Sequence, residues 1–247
     1  NVTNMEYMFN GCISLNALNL TTFQTDQVKN MRNMFSLCES LNFLELEYFN
    51  TSSVENMESM FQNCETLISL NLSSFQTSNV KNMKNMFESC SSLSSIDMDL
   101  NIFDTSKVTN MEYMFSNCKQ LVQLDVSKFN TSSVTKMRNM FESCKKLSII
   151  NIKSFNTSLV TDMQYMFSGC REVRVLDISK FETSLVTNMQ NMFELCPKLI
   201  SLDVSNFDTS LVTNMENMFS NCQLIPELEL SNFRVSYVTK TSKMFEY

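Results

Sequence analysis

Histidine and tryptophan are absent from this 247-residue chain, and glycine and proline occur only 2 times each. Without histidine, the side chain that most often serves as general base and metal ligand near neutral pH is missing. No nucleophile therefore has a base, no phosphate loop is present, and the expectation is a protein that is not an enzyme. Basic residues are too few and too scattered for a nucleic-acid groove, since 19 Lys and Arg face 26 Asp and Glu, a formal net charge of -7. No apolar run approaches the roughly 18 residues of a bilayer span, and no signal-peptide core opens the chain. These absences set the expectation of a soluble segment without a transmembrane helix.

What is abundant is repetition. Val2, Val28, Val54 and Val80 are 26 residues apart, and after one step of 28 the same spacing carries on through Val108, Val134, Val160, Val186, Val212 and Val238. A fixed period of this size is the mark of a stacked array. Each unit has one apolar formula, as in Val54, Met57, Met60, Phe61, Cys64, Leu67, Leu70, Leu72 and Phe75, followed by Thr77 and Ser78. Neither end shows a polar capping repeat, so the expectation is a single solenoid over residues 1–247 that is a piece of a longer chain.

Within a unit, the valine, methionines, phenylalanine and cysteine share one face at helical spacing, with Thr-Ser ahead of them as N-cap candidates. Residues such as 53–63 therefore read as a short helix. The Leu70-x-Leu72 step has period 2 and reads as a short strand. The fold class that follows is an α/β solenoid of about ten 26-residue coils, a right-handed stack with one helix and one parallel strand per coil. Because strands repeat at roughly 4.8 Å and helices pack at roughly 8 to 10 Å, such a stack should curve with its sheet inside.

The wording "MFxxCxxLxxLxLxxFxTSxVxNM" resembles the BspA-like leucine-rich repeat surface proteins, with the 26-residue repeat of mycoplasma lipoproteins and lactobacillus surface proteins. The resemblance covers the whole chain. It implies a non-enzymatic cell-surface or extracellular scaffold for recognition or adhesion, with a protein or glycan ligand. The alternative is a structural subunit of a filament, coat or matrix whose partners are copies of itself. The glycine usual in "FSGC" survives only at Gly11 and Gly169.

Several columns carry further expectations. The nine cysteines occupy one inward slot, are odd in number and have no CxxC or histidine partner, so they read as free buried thiols. The asparagines at Asn4, Asn30, Asn56, Asn82, Asn110, Asn188 and Asn214 read as a solvent-facing position, since Lys136, Asp162 and Lys240 replace them elsewhere. Six N-x-S/T sequons, at Asn1, Asn19, Asn50, Asn71, Asn130 and Asn156, match what a chain this rich in Asn, Ser and Thr gives by chance. The run Glu6, Arg32, Glu58, Lys84, Glu112, Arg138 alternates in sign, predicting an ion-pair ladder between coils, with Lys84–Glu88 and Arg138–Glu142 pairs inside a helix. This alternation points to duplicated two-coil units.

The candidate site is the file between the strand leucines. Its acidic members Glu45, Asp97, Asp125, Asp177, Asp203 and Glu229, diluted by Asn19, Asn71 and Asn151, form a candidate partner-binding face for cationic groups. No cofactor is required, although calcium between carboxylates is a possible occupant. The two extra residues between Met98 and Phe103 place Leu100 and Ile102 in a candidate contact bulge.

Overall fold

The computed structural model describes residues 2–98 and 102–247. Coil follows coil at the predicted period, and one hydrophobic core runs through the stack from Met5 to Cys222. The described residues form nine coils; those from Val238 supply only a turn segment hydrogen-bonded to the ninth, so ten coils is an overcount.

The helix is the principal correction, because no helix forms among the described residues and the α/β class gives way to turns and short strands. In the third coil Met60, Gln62 and Cys64 donate their amides to the carbonyls of Met57, Ser59 and Phe61, each at 3.2 Å, closing successive turns. The amides between them leave the coil altogether. Met57, Ser59, Phe61 and Asn63 donate to Asn82, Lys84, Met86 and Glu88 of the next coil at 3.0, 2.8, 3.0 and 2.8 Å. A helix is ruled out by Ser59 and Asn63, at φ 54° and 57°, and every complete coil repeats such a left-handed pair or has glycine in its second slot. Positive φ at the third residue of a turn favours glycine and asparagine. Asn33, Asn63, Asn85, Asn117, Asn139, Asn191, Asn217, Asn221, Gly11 and Gly169 fill most of these slots. Consecutive turns bring Val, Met, Met, Phe and Cys inward at the same spacing a helix would use, and that produced the misreading.

Strands form in the third to eighth coils and, among the described residues, not in the first, second or ninth, so the expected strand per coil is met only in part, and those that form are paired in twos. β1 (Ser69–Asn71) pairs in parallel with β2 (Ser95–Asp97), β3 (Gln123–Asp125) with β4 (Ile149–Asn151), and β5 (Val175–Leu176) with β6 (Ser201–Leu202). Among the described residues no pairing joins β2 to β3 or β4 to β5, so three two-stranded sheets replace the single sheet. The pairing follows the two-coil unit expected from the charge alternation. With no helix among the described residues, the mismatch of helix and strand spacing expected to curve the stack does not arise.

Two buried columns tie the coils together. Phenylalanine rings stack from Phe9 through Phe35, Phe61, Phe87 and Phe115 with centroids 5.3–5.7 Å apart and planes within 13° of parallel. This is offset stacking at the spacing that aromatic pairs favour. The threonines expected to cap helices are instead buried clamps. Thr131 Oγ1 donates to the Asn156 carbonyl at 2.8 Å and accepts from the Asn156 amide at 2.7 Å. The same exchange links Thr51 to Gln76 and Thr157 to Glu182. Thr131→Val keeps the shape and removes both bonds, leaving a buried amide and carbonyl unpaired. We expect it to cost about 1–3 kcal/mol in denaturant unfolding, with Thr131→Ser close to wild type.

The cysteines are free, and eight are buried while Cys12 is exposed. Each buried thiol donates to the carbonyl of the phenylalanine in the preceding coil, as Cys64 does to Phe35 at 3.2 Å and Cys90 to Phe61 at 3.0 Å. Burial pushes the Cys38 and Cys222 thiols up to about 11 and those of Cys90 and Cys144 up to about 12. Such thiols are inert in the folded state. A thiol reagent near pH 8 should titrate one group, Cys12, in the native protein and all nine in denaturant without reductant; a shortfall in denaturant would reveal disulfides.

The ion-pair ladder is partial. Arg32 Nη1 lies 3.0 Å from Glu6 Oε1, Arg32 Nε lies 3.5 Å from Glu58 Oε2 without hydrogen-bond geometry, and Lys84 Nζ lies 3.7 Å from Glu112 Oε2. The pairs expected inside a helix do not form. Glu88 accepts from Gln62 Nε2 at 2.6 Å and Glu142 from Asn139 Nδ2 at 2.8 Å, because without a helix residues four apart are not neighbours.

Candidate functional site

The strand side carries the candidate face. In β1 and β3 the central residue, Leu70 or Leu124, points into the core while the flanking residues point outward. Glu45, Asp97, Asp125, Asp177, Asp203 and Glu229 are all exposed, with Asn19, Asn71 and Asn151 between them. Strand register sets Asn71 beside Asp97 and Asp125 beside Asn151. Its carboxylates do not simply face solvent, however. Asp203 Oδ1 accepts from the Ser205 amide at 2.9 Å and from its hydroxyl at 2.6 Å. Asp177 does the same with Ser179, Asp125 accepts from the Ser127 amide, and Glu229 accepts from the Ser231 amide. Asn19 and Asn71 close the same turn through Thr21 and Ser73.

The sequence reading does not include this turn, although its signal is plain in "DVSK", "DISK", "DVSN" and "NLSS". Asp and Asn favour such positions because their side chains bond the backbone two residues on. The same chemistry accounts for the sequons better than composition does. Asn50, Asn130 and Asn156 accept from the amides of Ser52, Ser132 and Ser158 in the turn that precedes the next coil, while Asn1 lies outside the described residues. The Asn4 to Asn214 column is likewise not simply solvent-facing. Asn56 Oδ1 accepts from the Glu58 amide at 3.0 Å, Asn82 Nδ2 donates to Glu58 of the preceding coil at 2.8 Å, and Asn214 is buried.

The hydroxyl and then the amide of the following serine pull the Asp125, Asp177 and Asp203 carboxyls below the usual carboxylate range. The carboxylates are thus held ionised, each turned onto its own loop rather than toward the next acid in the file. Lys153 Nζ lies 4.0 Å from Asp177 Oδ2. Among the described residues no three His, Cys, Asp or Glu side chains gather closely enough to hold a metal ion. Of the candidate bulge, Leu100 lies outside the described residues. Ile102 is half-buried, and its carbonyl accepts the Asp104 amide at 3.0 Å, which closes a turn around Phe103.

Beside the acidic file lies an exposed apolar one that sequence reasoning passed over. Phe43, Ile68, Val122, Ile149, Val175 and Ile200 stand immediately before the inward Leu or Ile of their coil or one residue earlier, and Ile149 is 63% exposed. Two grooves open here. One of about 440 Å³ lies across the unpaired join between β2 and β3, lined by Ser95, Ile96, Gln123, Leu124, Asp125, Ser127, Ile149 and Asn151. The other, about 190 Å³, lies two coils earlier against β1 and is lined by Phe43 to Glu47 with Ser69 and Asn71.

Stacked coils with a constant inward formula and a variable outward strand face define a repeat solenoid. Residues 1–96, 93–176 and 164–247 each match the family model described as "Mycoplasma protein of unknown function, DUF285", and the chain belongs to this family. The match agrees with the resemblance to mycoplasma and BspA-like repeats. A comparison with curated proteins found no match. Among solved structures, the crystal structure of a leucine rich cell surface protein from Faecalibacterium prausnitzii A2-165 is 18% identical over 93% of this chain and 76% of that chain, with a TM-score of 0.35. A score that low carries no argument about shape.

Because the folded pKa values of Asp125, Asp177 and Asp203 are depressed, their stabilising effect is present above the unfolded value of about 3.9 and is lost as pH falls through the folded values. Asp125→Asn, Asp177→Asn and Asp203→Asn together keep a side-chain oxygen for each turn. The triple variant should be slightly less stable than wild type at pH 7 and converge on it as pH falls below about 4, so that its loss of thermal midpoint in acid is shallower.

Proposed function

We propose that this protein is a non-enzymatic scaffold displayed at a cell surface or outside the cell, whose strand side recognises a protein or glycan partner. The observation that carries this reading is the apolar file of Phe43, Ile68, Ile149 and Val175, exposed beside an acidic file on a stack whose inward positions are otherwise saturated. Apolar side chains gathered on an exposed face mark an interaction surface. The family's mycoplasma association and the surface description of the compared structure support the location.

Beads coated with the protein should adhere to one or more members of a panel of immobilised matrix proteins and glycans. Ile68→Ser, Ile149→Ser and Val175→Ser together should abolish that adherence while leaving thermal unfolding unchanged. Adherence that survives the triple variant would overturn the assignment to this face. Ordered polymers in sedimentation at micromolar concentration, without adherence, would favour a structural subunit instead.

A further inference from the structure

The cations of this chain are scattered in sequence, but the stack gathers some of them. In the fifth to seventh coils, which begin at Val108, Val134 and Val160, the strands β3, β4 and β5 each lie between two turns. The leading turn is closed where the Leu121, Leu147 and Val173 amides reach the Cys118, Cys144 and Cys170 carbonyls at 3.3, 3.1 and 3.4 Å. Its tip carries Lys119, then Lys145 with Lys146, then Arg171, all exposed. The trailing turn, closed by the Phe129, Phe155 and Phe181 amides, carries exposed Lys128, Lys153 and Lys180. Leading-turn positions are neighbours from coil to coil, since Lys198 Nζ reaches Glu172 of the coil before at 2.6 Å. Two rows of cations therefore flank the strand face of these coils. The same turns carry Glu39, Glu65 and Glu47 in the second and third coils, so the rows are local and not a property of the repeat.

The uncommitted charge on this face is positive. Asp125 and Asp177 are bonded to Ser127 and Ser179 of their own loops, and Glu172 is taken by Lys198. Lys119, Lys145, Lys146, Arg171 and Arg174 pair with no carboxylate among the described residues. Like charges on coils about 4.8 Å apart repel, and an anionic ligand relieves that repulsion. Between the rows, at the β2–β3 join, lies the groove of about 440 Å³. It sets aliphatic Ile96, Leu124 and Ile149 beside the uncharged polar groups of Ser95, Gln123 and Asn151. A sugar ring has the matching surfaces, C–H faces rimmed by hydroxyls that donate and accept. Among the described residues no aromatic side chain is exposed on the strand face of these coils to stack a nucleic-acid base. We propose that the strand side of the fifth to seventh coils binds a sulfated polysaccharide, its anionic groups on the two cation rows and one ring in the groove. Dense sulfation fits because cations recur on every coil, at about 4.8 Å along the stack. This rests on the reading of the strand side as a recognition face and names its ligand class.

The test uses a fluorescent heparin dodecasaccharide, with hyaluronate of matched length, poly-glutamate of matched charge and a short DNA duplex as controls. Binding to the whole chain is read by anisotropy at physiological ionic strength. Heparin should bind about tenfold more tightly than any control. Lys119→Gln, Lys145→Gln, Lys146→Gln and Arg171→Gln together should cost about tenfold and flatten the salt dependence, because fewer counterions are released. Lys29→Gln, Lys136→Gln, Lys240→Gln and Lys243→Gln, which remove equal charge away from the strand side, should leave affinity unchanged. Gln123→Ala with Ile149→Ser should weaken heparin about fivefold without altering the salt dependence. All three sets should unfold thermally as wild type does. Absent heparin binding, equal binding of poly-glutamate, tighter binding of DNA or of phosphatidylglycerol vesicles, equal losses in both cation sets, or indifference to the groove variant would overturn the proposal. Bead adherence that needs Ile149 alongside failed heparin binding would sink this inference alone, whereas row-dependent heparin binding with ordered polymers in place of bead adherence would sink the broader reading alone.

Discussion

The structure depends on the amides that leave their own coil. In each turn segment, every second N–H bonds to the next coil instead of closing a helix, and the left-handed residues at positions such as Ser59 and Asn63 turn the backbone so that it can. Were those two residues right-handed, the same Val, Met, Phe and Cys would wind into a helix. The coils would then have no backbone ladder on this side and would stand at helix spacing. The left-handed pair therefore sets the rise of the whole stack, and the interior must accept it.

That rise selects the buried side chains. Planar rings stack at this separation, which suits a phenylalanine column better than a branched aliphatic one. A thiol is small enough to sit in each layer and still donate to the phenylalanine carbonyl of the layer before, so cysteine adds a weak hydrogen bond to hydrophobic burial. Threonine serves where the chain passes between coils. Its hydroxyl both donates to and accepts from one residue of the next coil, so the ladder continues through a segment with no strand pairing. Cysteine, phenylalanine and threonine thus recur for one reason: each fits a repeat close to 4.8 Å.

Period, coil boundaries, core columns, free thiols and strand positions were legible in the sequence because each depends on apolar spacing, which repeats nine times. The helix was not, since consecutive turns and a helix put the same residues inward. The difference lies in Asn and Gly at positions of positive φ, as at Asn63, Asn117 and Gly169, a signal of backbone preference rather than burial. The acidic file was legible as a file but not as a set of turn closures. Charge invites a reading in terms of partners, whereas Asp203 and Ser205 show a carboxylate used first by its own backbone. The apolar neighbours Ile68 and Ile149 were hidden for a different reason. They and their counterparts fall at either of two adjacent positions in different coils, so no single column of the repeat displays them.

Unequal use of the two sides is what leaves this protein room for a partner. On the turn side every second amide is committed to the next coil, and a substitution there disturbs two layers at once. On the strand side, pairing binds coils only in twos, so the joins between pairs leave strand edges and grooves that the stack does not need for its own cohesion. The rise is already held by the turn ladder, and the outward strand residues are therefore free to vary in size and charge without cost to register. Recognition, wherever it evolves on such a stack, has least to overcome at those joins.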